Sequence, residues 1–289
     1  MGRFEAPGVE PLDALWHREL GTAGAPPLVM LHGFLGTHAT WLSLAEALRR
    51  SWRVVLPDLY GHGQSGIPRD RAHLTPDGTA RDVLALAAAV APGPLALVGY
   101  SLGGRVALRM AAAAPERVAA LVLVSASPGI AAEDERSARR AADARLADQI
   151  EAGGLSAFME RWDENPVLAS GRPLSEAQHR RLAHDRRRQR AAGLAASLRW
   201  AGGGQQPDTW PLLPHWPIPT LVVAGAVDVK YAALARRAAG LIPDAELAVL
   251  EGVGHRVPLE APAELSRLVS RFLTAARDRA PARLRRSAD

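Results

Sequence analysis

The chain has 289 residues, 48% of them hydrophobic, 5% aromatic and none of them cysteine. That length suits one large α/β core with an insertion; the lack of cysteine excludes disulfides and thiolate metal sites, and no apolar run approaches the ~20 residues that span a bilayer. The net charge of +5 is carried almost wholly by arginine, Lys230 being the only lysine, and the arginines are spread out instead of interleaving with aromatics on one face, which argues against a nucleic-acid partner.

Met1 to Leu12 lacks a positive segment followed by an apolar stretch, so no signal peptide is expected and a cytoplasmic location is the default. Leu15 to Leu20 reads as an outer antiparallel strand. Pro27 to Leu31 reads as a strand leading into His32-Gly33-Phe34-Leu35-Gly36, with a helix near Trp41 to Arg50. Arg53 to Pro57 leads into Asp58-Leu59-Tyr60-Gly61-His62-Gly63. Leu95 to Tyr100 leads to Ser101 and a helix to Ala113; Val118 to Ser125 is the next strand. Pro219 to Ala224 is followed by a helix near Tyr231 to Leu241, Ala245 to Leu250 is the last strand, and a helix near Ala263 to Ala275 closes the core. Continuously apolar strands alternating with helices predict a mostly parallel sheet covered on both faces.

The alternation breaks between about Gly129 and Pro214, where helical periodicity and many charges replace strands, over Glu133 to Ala147, Leu155 to Trp162 and Ser175 to Arg190. The expected organisation is a core at 1–128, a helical cap at 129–214 inserted after the sixth strand, the core resumed at 215–276, and a basic tail at 277–289. The cap is expected over the C-terminal edge of the sheet, where ligands of open parallel sheets bind. In the tail Ala, Pro and Arg alternate without an apolar face, so it reads as frayed and solvated.

Gly99-Tyr100-Ser101-Leu102-Gly103-Gly104 fits the nucleophile-elbow pattern G-x-S-x-G, and it follows an apolar strand and precedes an Ala-rich helix, as that motif requires. The serine sits on a sharp turn, and its glycine neighbours let strand and helix approach. The following helix points its N-terminal N–H groups and positive dipole end at the serine. A serine needs a histidine to take its proton. Of nine histidines, His255 in Gly252-Val253-Gly254-His255 lies just past the last strand and follows both serine and acid, the chain order that goes with such an elbow. His32 is expected to prop its own loop and His62 to be structural; His17, His38, His73, His179, His184 and His215 are read as surface or cap residues.

The acid is expected after the penultimate strand, where Gly225-Ala226-Val227-Asp228 supplies Asp228 to orient the neutral imidazole. Ser125 occupies the alternative acid position and cannot serve; Asp58 is expected to tie its own loop. The oxyanion hole combines the N–H after the nucleophile with one from an early loop, which predicts the backbone N–H groups of Leu102 and Phe34.

From about Pro27 to Leu273 the chain resembles one branch of the α/β hydrolases, the 2-succinyl-6-hydroxy-2,4-cyclohexadiene-1-carboxylate synthases of menaquinone biosynthesis. Leu31-His32-Gly33-Phe34, Trp41, the Pro57-to-Gly63 loop and Gly99 to Arg105 carry the generic part. The cap carries the discriminating part: Ser127-Pro128-Gly129-Ile130, Glu135-Arg136-x-x-Arg139, Asp143 with Leu146-Ala147, Phe158, Trp162, Pro166-Val167, Ala169-Ser170, Arg186, Gly193-Leu194, and Gly202 to Pro207 with Trp210. Asp228-Val229-Lys230-Tyr231 is similar to the family's Asp-x-Lys-Phe. Arg256, Pro258, Ala226 and Gln189 depart from its pattern.

The resemblance implies an α/β-hydrolase fold with a helical cap, and a lyase that eliminates pyruvate from a succinyl-bearing cyclohexene carboxylate, with the triad serine acting as base. It implies a small-molecule carboxylate substrate bound by Arg105, Arg139 and Arg186, with Tyr100 and Trp162 shaping the pocket; guanidinium groups bind carboxylates in bidentate fashion. No metal or organic cofactor and no membrane partner are expected, and the pattern suits a monomer and a homo-oligomer alike. A serine hydrolase acting on an ester or carbon–carbon bond of an acidic metabolite, and a non-catalytic receptor for a small acid, remain open as alternatives from the residues alone.

Overall fold

The computed structural model describes residues 1–7, 10, 13–165 and 168–279. Pro166, Val167 and the tail from residue 280 onward lie outside the described residues.

Eight strands form one sheet: β1 (Gly2–Phe4), β2 (Leu15–Leu20), β3 (Pro27–Leu31), β4 (Arg53–Pro57), β5 (Leu95–Tyr100), β6 (Val118–Val124), β7 (Thr220–Gly225) and β8 (Ala245–Leu250), in the spatial order β1-β2-β4-β3-β5-β6-β7-β8. β1 and β2 pair antiparallel with their neighbours; from β4 through β8 every pair is parallel. The strand positions expected from the apolar runs hold to within a residue or so. The short β1, with only three residues, carries too little apolar pattern to be legible.

The helices are α1 (Leu42–Leu48), α2 (Pro76–Val90), α3 (Leu102–Ala113), α4 (Glu133–Asp163), α5 (Glu176–Arg187), α6 (Ala191–Ala201), α7 (Val229–Leu241), α8 (Val257–Glu260) and α9 (Pro262–Arg279). Side chains alternate across each strand. Val29, Val55, Leu97 and Leu121 therefore face one side with Val83, Leu86 and Val106 of α2 and α3. Met30, Val54, Val98 and Val122 face the other with Leu48 of α1 and Val269 and Phe272 of α9. Burying one such side chain stabilises the fold by about 1.5–3 kcal/mol, so both faces are tightly specified.

Helix α2 was not among the expected elements, although its start signal is present: the Thr75 side chain accepts from the Gly78 N–H, and Pro76 opens the helix. Helix α9 runs three residues past the expected core boundary at 276, since Arg277-Asp278-Arg279 contains nothing that breaks a helix.

Helices α4, α5 and α6 lie between β6 and β7 in the chain. The two helical segments expected at 133–147 and 155–162 both form, as the two parts of α4 on either side of Gly154, whose backbone is non-helical (φ 77°, ψ 168°). A third apolar cluster joins Ile150 and Phe158 of α4 to Leu194 and Leu198 of α6 and to Leu35 of the core. The insert is docked by close backbone contact as well. A Cβ on Gly61 would lie 2.4 Å from the Gly193 carbonyl oxygen, and one on Gly193 would lie 2.1 Å from that of Gly61. Gln189 Nε2 donates to the carbonyls of Leu35 and Gly36 at 3.2 and 3.1 Å, and Thr37 Oγ1 donates to Asp185 at 2.6 Å. Among the described residues, no helix is long and apolar enough to cross a membrane.

Candidate active site

Ser101 follows β5 directly and precedes α3, with φ 51° and ψ −109°. For a residue with a side chain that backbone is strained, and it persists because its surroundings fix it. The Ser101 N–H donates to the Val124 carbonyl at 2.9 Å, and the Arg105 N–H donates to the Ser101 carbonyl at 3.1 Å. The glycines are obligatory: a Cβ on Gly99 would lie 2.5 Å from the Gly103 oxygen, and one on Gly103 would lie 2.2 Å from the Leu31 oxygen.

Asp228 and His255, 6% and 5% exposed, follow β7 and β8. Asp228 caps α7, its Oδ1 accepting the Tyr231 N–H at 3.2 Å, while its Oδ2 accepts from His255 Nδ1 at 2.6 Å. A carboxylate only accepts, so Nδ1 carries the hydrogen and Nε2 is left as the acceptor. The Ser101 hydroxyl lies 3.1 Å from that Nε2 and donates to it. Tyr231 meets the imidazole edge-on at 4.5 Å between ring centres.

The two residues expected to supply the oxyanion donors line one cavity with Ser101. Leu102 opens α3, so its N–H has no carbonyl to meet within the helix, and Leu102 and Phe34 both line the cavity that Ser101 and His255 enter. The Phe34 loop is held by His32. The Leu59 N–H donates to His32 Nε2 at 2.9 Å, which leaves Nδ1–H to donate to the Gly33 carbonyl at 2.8 Å. Burial lowers the His32 pKa, favouring this neutral form.

The cavity, of about 630 Å³, lies between the strand ends and the insert. Arg105 and Arg139 both line it, as does Trp162. Arg105 donates to the Ala201 carbonyl at 2.8 Å, and burial lowers its pKa. Arg139 Nε donates to the buried Asp143 at 2.9 Å.

Tyr100 and Arg186 stand elsewhere. They line a smaller neighbouring chamber, of about 90 Å³, with Arg181 and Arg256; Phe34, Trp162 and Leu168 line both spaces. Arg186 is ion-paired with Asp163. Burial raises the Tyr100 pKa, so its phenol stays neutral.

The sequence reading assigned no role to Lys230, Tyr231 or Arg237, yet all three line the cavity. The signal was available: Lys230, Leu234 and Arg237 recur at helical spacing on α7, directly after the acid, and so share a face. The reading also passed over Glu260, a buried carboxylate on the His255 side of the site.

His17, His38 and His73 are not surface residues: they are 6%, 4% and 5% exposed. Each is buried beside a carboxylate, with His17 3.2 Å from Glu19, His38 2.9 Å from Asp58 and His73 2.5 Å from Asp82. The carboxylate partner offsets the cost of burying each imidazole. Asp58 also accepts the N–H groups of His38 and Gln64, at 2.7 and 2.9 Å. His179, His184 and His215 are exposed. Among the described residues, no group of three or more His, Cys, Asp or Glu is placed to hold a metal ion.

Residues 26–262 match the family described as alpha/beta hydrolase fold. A Bacillus subtilis (strain 168) protein that carries, in provisional form, the name 2-succinyl-6-hydroxy-2,4-cyclohexadiene-1-carboxylate synthase is 34% identical over 254 residues, covering 88% of this chain and 92% of the relative. The protein of that name from Salmonella agona (strain SL483) is 34% identical over 247 residues, covering 84% of this chain and 92% of the relative. The solved structure of MenH from S. aureus superposes with a TM-score of 0.84 at 29% identity, over 91% of this chain and 98% of that one.

Proposed function

The chain belongs to the α/β-hydrolase fold family, within the 2-succinyl-6-hydroxy-2,4-cyclohexadiene-1-carboxylate synthases, and from that premise we propose how its site works as a carbon–oxygen lyase of menaquinone biosynthesis. The substrate is 2-succinyl-5-enolpyruvyl-6-hydroxy-3-cyclohexene-1-carboxylate. The products are the 2,4-diene named above and pyruvate, and no water is consumed.

Ser101, with its hydroxyl proton passed to His255, removes the ring proton at C2, which the neighbouring succinyl ketone acidifies. The electron pair forms the C2–C3 double bond, the C3–C4 double bond shifts to C4–C5, and the C5–O bond breaks. The enolpyruvate leaving group takes up a proton on carbon and becomes pyruvate. Negative charge that develops on the ketone oxygen falls to the N–H groups of Leu102 and Phe34. Asp228 holds the tautomer of His255 and stabilises the imidazolium once it forms.

The observation that carries this reading is the presence of Arg105 and Arg139 in one cavity with the serine. Arg139 is already paired with Asp143, but the buried Arg105 guanidinium meets only a carbonyl and is further disfavoured by the Arg139 charge, which is costly unless an anion is to be met there. We assign both to substrate carboxylates, with Trp162 as a wall and Lys230 adding positive charge at the rim. Arg186 and Tyr100 would serve from the adjoining chamber, and helices α4 to α6 form the cap that shapes the substrate space.

The test is direct: purified protein is given the enolpyruvyl intermediate and pyruvate is followed with lactate dehydrogenase, beside short-chain nitrophenyl esters. Release of pyruvate with weak ester turnover supports the lyase. Ester turnover without pyruvate release makes the protein a serine hydrolase using the same residues.

A further inference from the structure

Glu260 ends α8, five residues beyond His255, and is 6% exposed. Its Oε2 accepts the Gly254 N–H at 2.8 Å and its Oε1 the Arg256 N–H at 3.2 Å. One carboxylate therefore holds the N–H on each side of the triad histidine. Oε2 also accepts the Gly171 N–H at 2.9 Å, and Gly171 belongs to the stretch joining α4 to α5.

Around this clasp the two segments run backbone against backbone. A Cβ on Gly254 would lie 2.3 Å from the Ala169 oxygen, and one on Gly171 would lie 2.4 Å from the Gly252 oxygen. Arg256 donates to the Leu168 carbonyl and Arg172 to the Glu251 carbonyl, each at 2.8 Å. Residues 168–172 of the insert are thus strapped to residues 251–256, which carry His255.

We propose that Glu260 is a positioning residue for chemistry at Ser101: it sets the His255 ring by holding the peptides on both sides and makes the insert and the histidine loop move as one body. The carboxylate suits this task because it presents acceptors only, to three N–H groups. A glutamine keeps the shape but turns an amide donor toward one of those three, and an alanine leaves all three without a partner. The proposal rests on the Ser101–His255–Asp228 reading of the site and not on the substrate.

Glu260→Ala and Glu260→Gln are made in the full chain. Labelling of Ser101 by a fluorophosphonate is timed, since that reaction needs the serine and histidine but no carboxylate pocket; kcat and KM for pyruvate release are measured alongside. A misplacement on the order of 1 Å costs about a hundredfold, so labelling and kcat should both fall by about that factor in Glu260→Ala. KM should stay within about threefold, because binding groups are untouched, and Glu260→Gln should recover part of the lost rate. Wild-type labelling in both folded variants, or a change confined to KM, overturns the proposal. If Glu260→Ala does not fold, Glu260→Gln decides alone: slower labelling supports the role and an unchanged rate sinks it. Should the parent protein release no pyruvate, labelling still tests Glu260, so the two readings fail separately.

Discussion

Arg105 stands one helical turn beyond Ser101, its backbone N–H donating to the Ser101 carbonyl at 3.1 Å, so a fixed cation is carried on the same helix that presents the serine. The strain at Ser101 and the placement of Arg105 have one origin, the tight turn from β5 into α3. The Arg105 guanidinium and the serine are registered to each other by backbone geometry, not by a flexible loop.

Replacing Arg105 with alanine should therefore lower kcat/KM for the carboxylate substrate by about ten- to a hundredfold, the worth of a charge-assisted hydrogen bond of about 1.5–3 kcal/mol. Turnover of a neutral ester should change little. Equal losses on both substrates would instead assign Arg105 to holding α6 through its bond to the Ala201 carbonyl.

Asp228→Asn should leave the fold intact and lower kcat by about 10⁴-fold, as loss of the correct imidazole tautomer does in triad enzymes. Ser101→Ala should cost on the order of a thousandfold or more. Ligand binding to Ser101→Ala, followed by calorimetry, should persist, because the arginines remain. Near-normal rates in either variant would mean that the hydrogen-bonded chain from Asp228 to Ser101 is not the catalytic one.

Gly193→Ala tests the docking of the insert. The new methyl would be driven into the Gly61 carbonyl, and relieving such overpacking typically costs about 1–3 kcal/mol. Denaturant unfolding should show that loss of stability. KM should rise with it, because α6 supplies Ser197, Leu198 and Ala201 to the cavity wall. A variant as stable as the parent would show that the two backbones can part freely.

Acid should destabilise the fold through His62. Burial is the largest cause pushing its pKa down from 6.5 to about 3, helped by the neighbouring His32. The unfolded chain then binds a proton below pH 6.5 that the native state refuses until about pH 3. Stability from this group is present above pH 6.5 and falls as pH drops toward 3, with a limiting slope of about 1.4 kcal/mol per pH unit. Unfolding free energies measured from pH 7 to 4 should fall less steeply in His62→Phe than in the parent, whatever the variant's stability at pH 7. Parallel slopes would show that His62 titrates normally.

Much of the core was legible in the sequence, and so were the three residues that the fold brings into one hydrogen-bonded line, Asp228, His255 and Ser101. The parallel strands are continuous apolar runs because both faces are buried, and the elbow is a local motif whose glycines are needed within five residues of chain. Asp228 and His255 were found by chain order at strand ends. Helix α2 was missed although Thr75-Pro76 announced it, and His17, His38 and His73 were placed outside because their carboxylate partners could not be seen as partners. Glu19 and Asp82 are close to their histidines in sequence, but Asp58 is twenty residues from His38.

The sequence by itself determined the layered α/β core and the positions of the serine, the histidine and the aspartate at strand ends, because hydrophobic periodicity and turn geometry act over a few residues. Only the tertiary structure decided which arginines share the serine's cavity and which do not. Arg105 and Arg139 line it, while Arg186 lines the adjoining chamber, paired with Asp163, a residue 23 positions away. The clasp of Glu260 on Gly171 spans 89 positions, and the contact of Gly61 with Gly193 joins the core to the insert. Such pairings are set by how the packed layers bring distant backbone together, and no local pattern of residues encodes them.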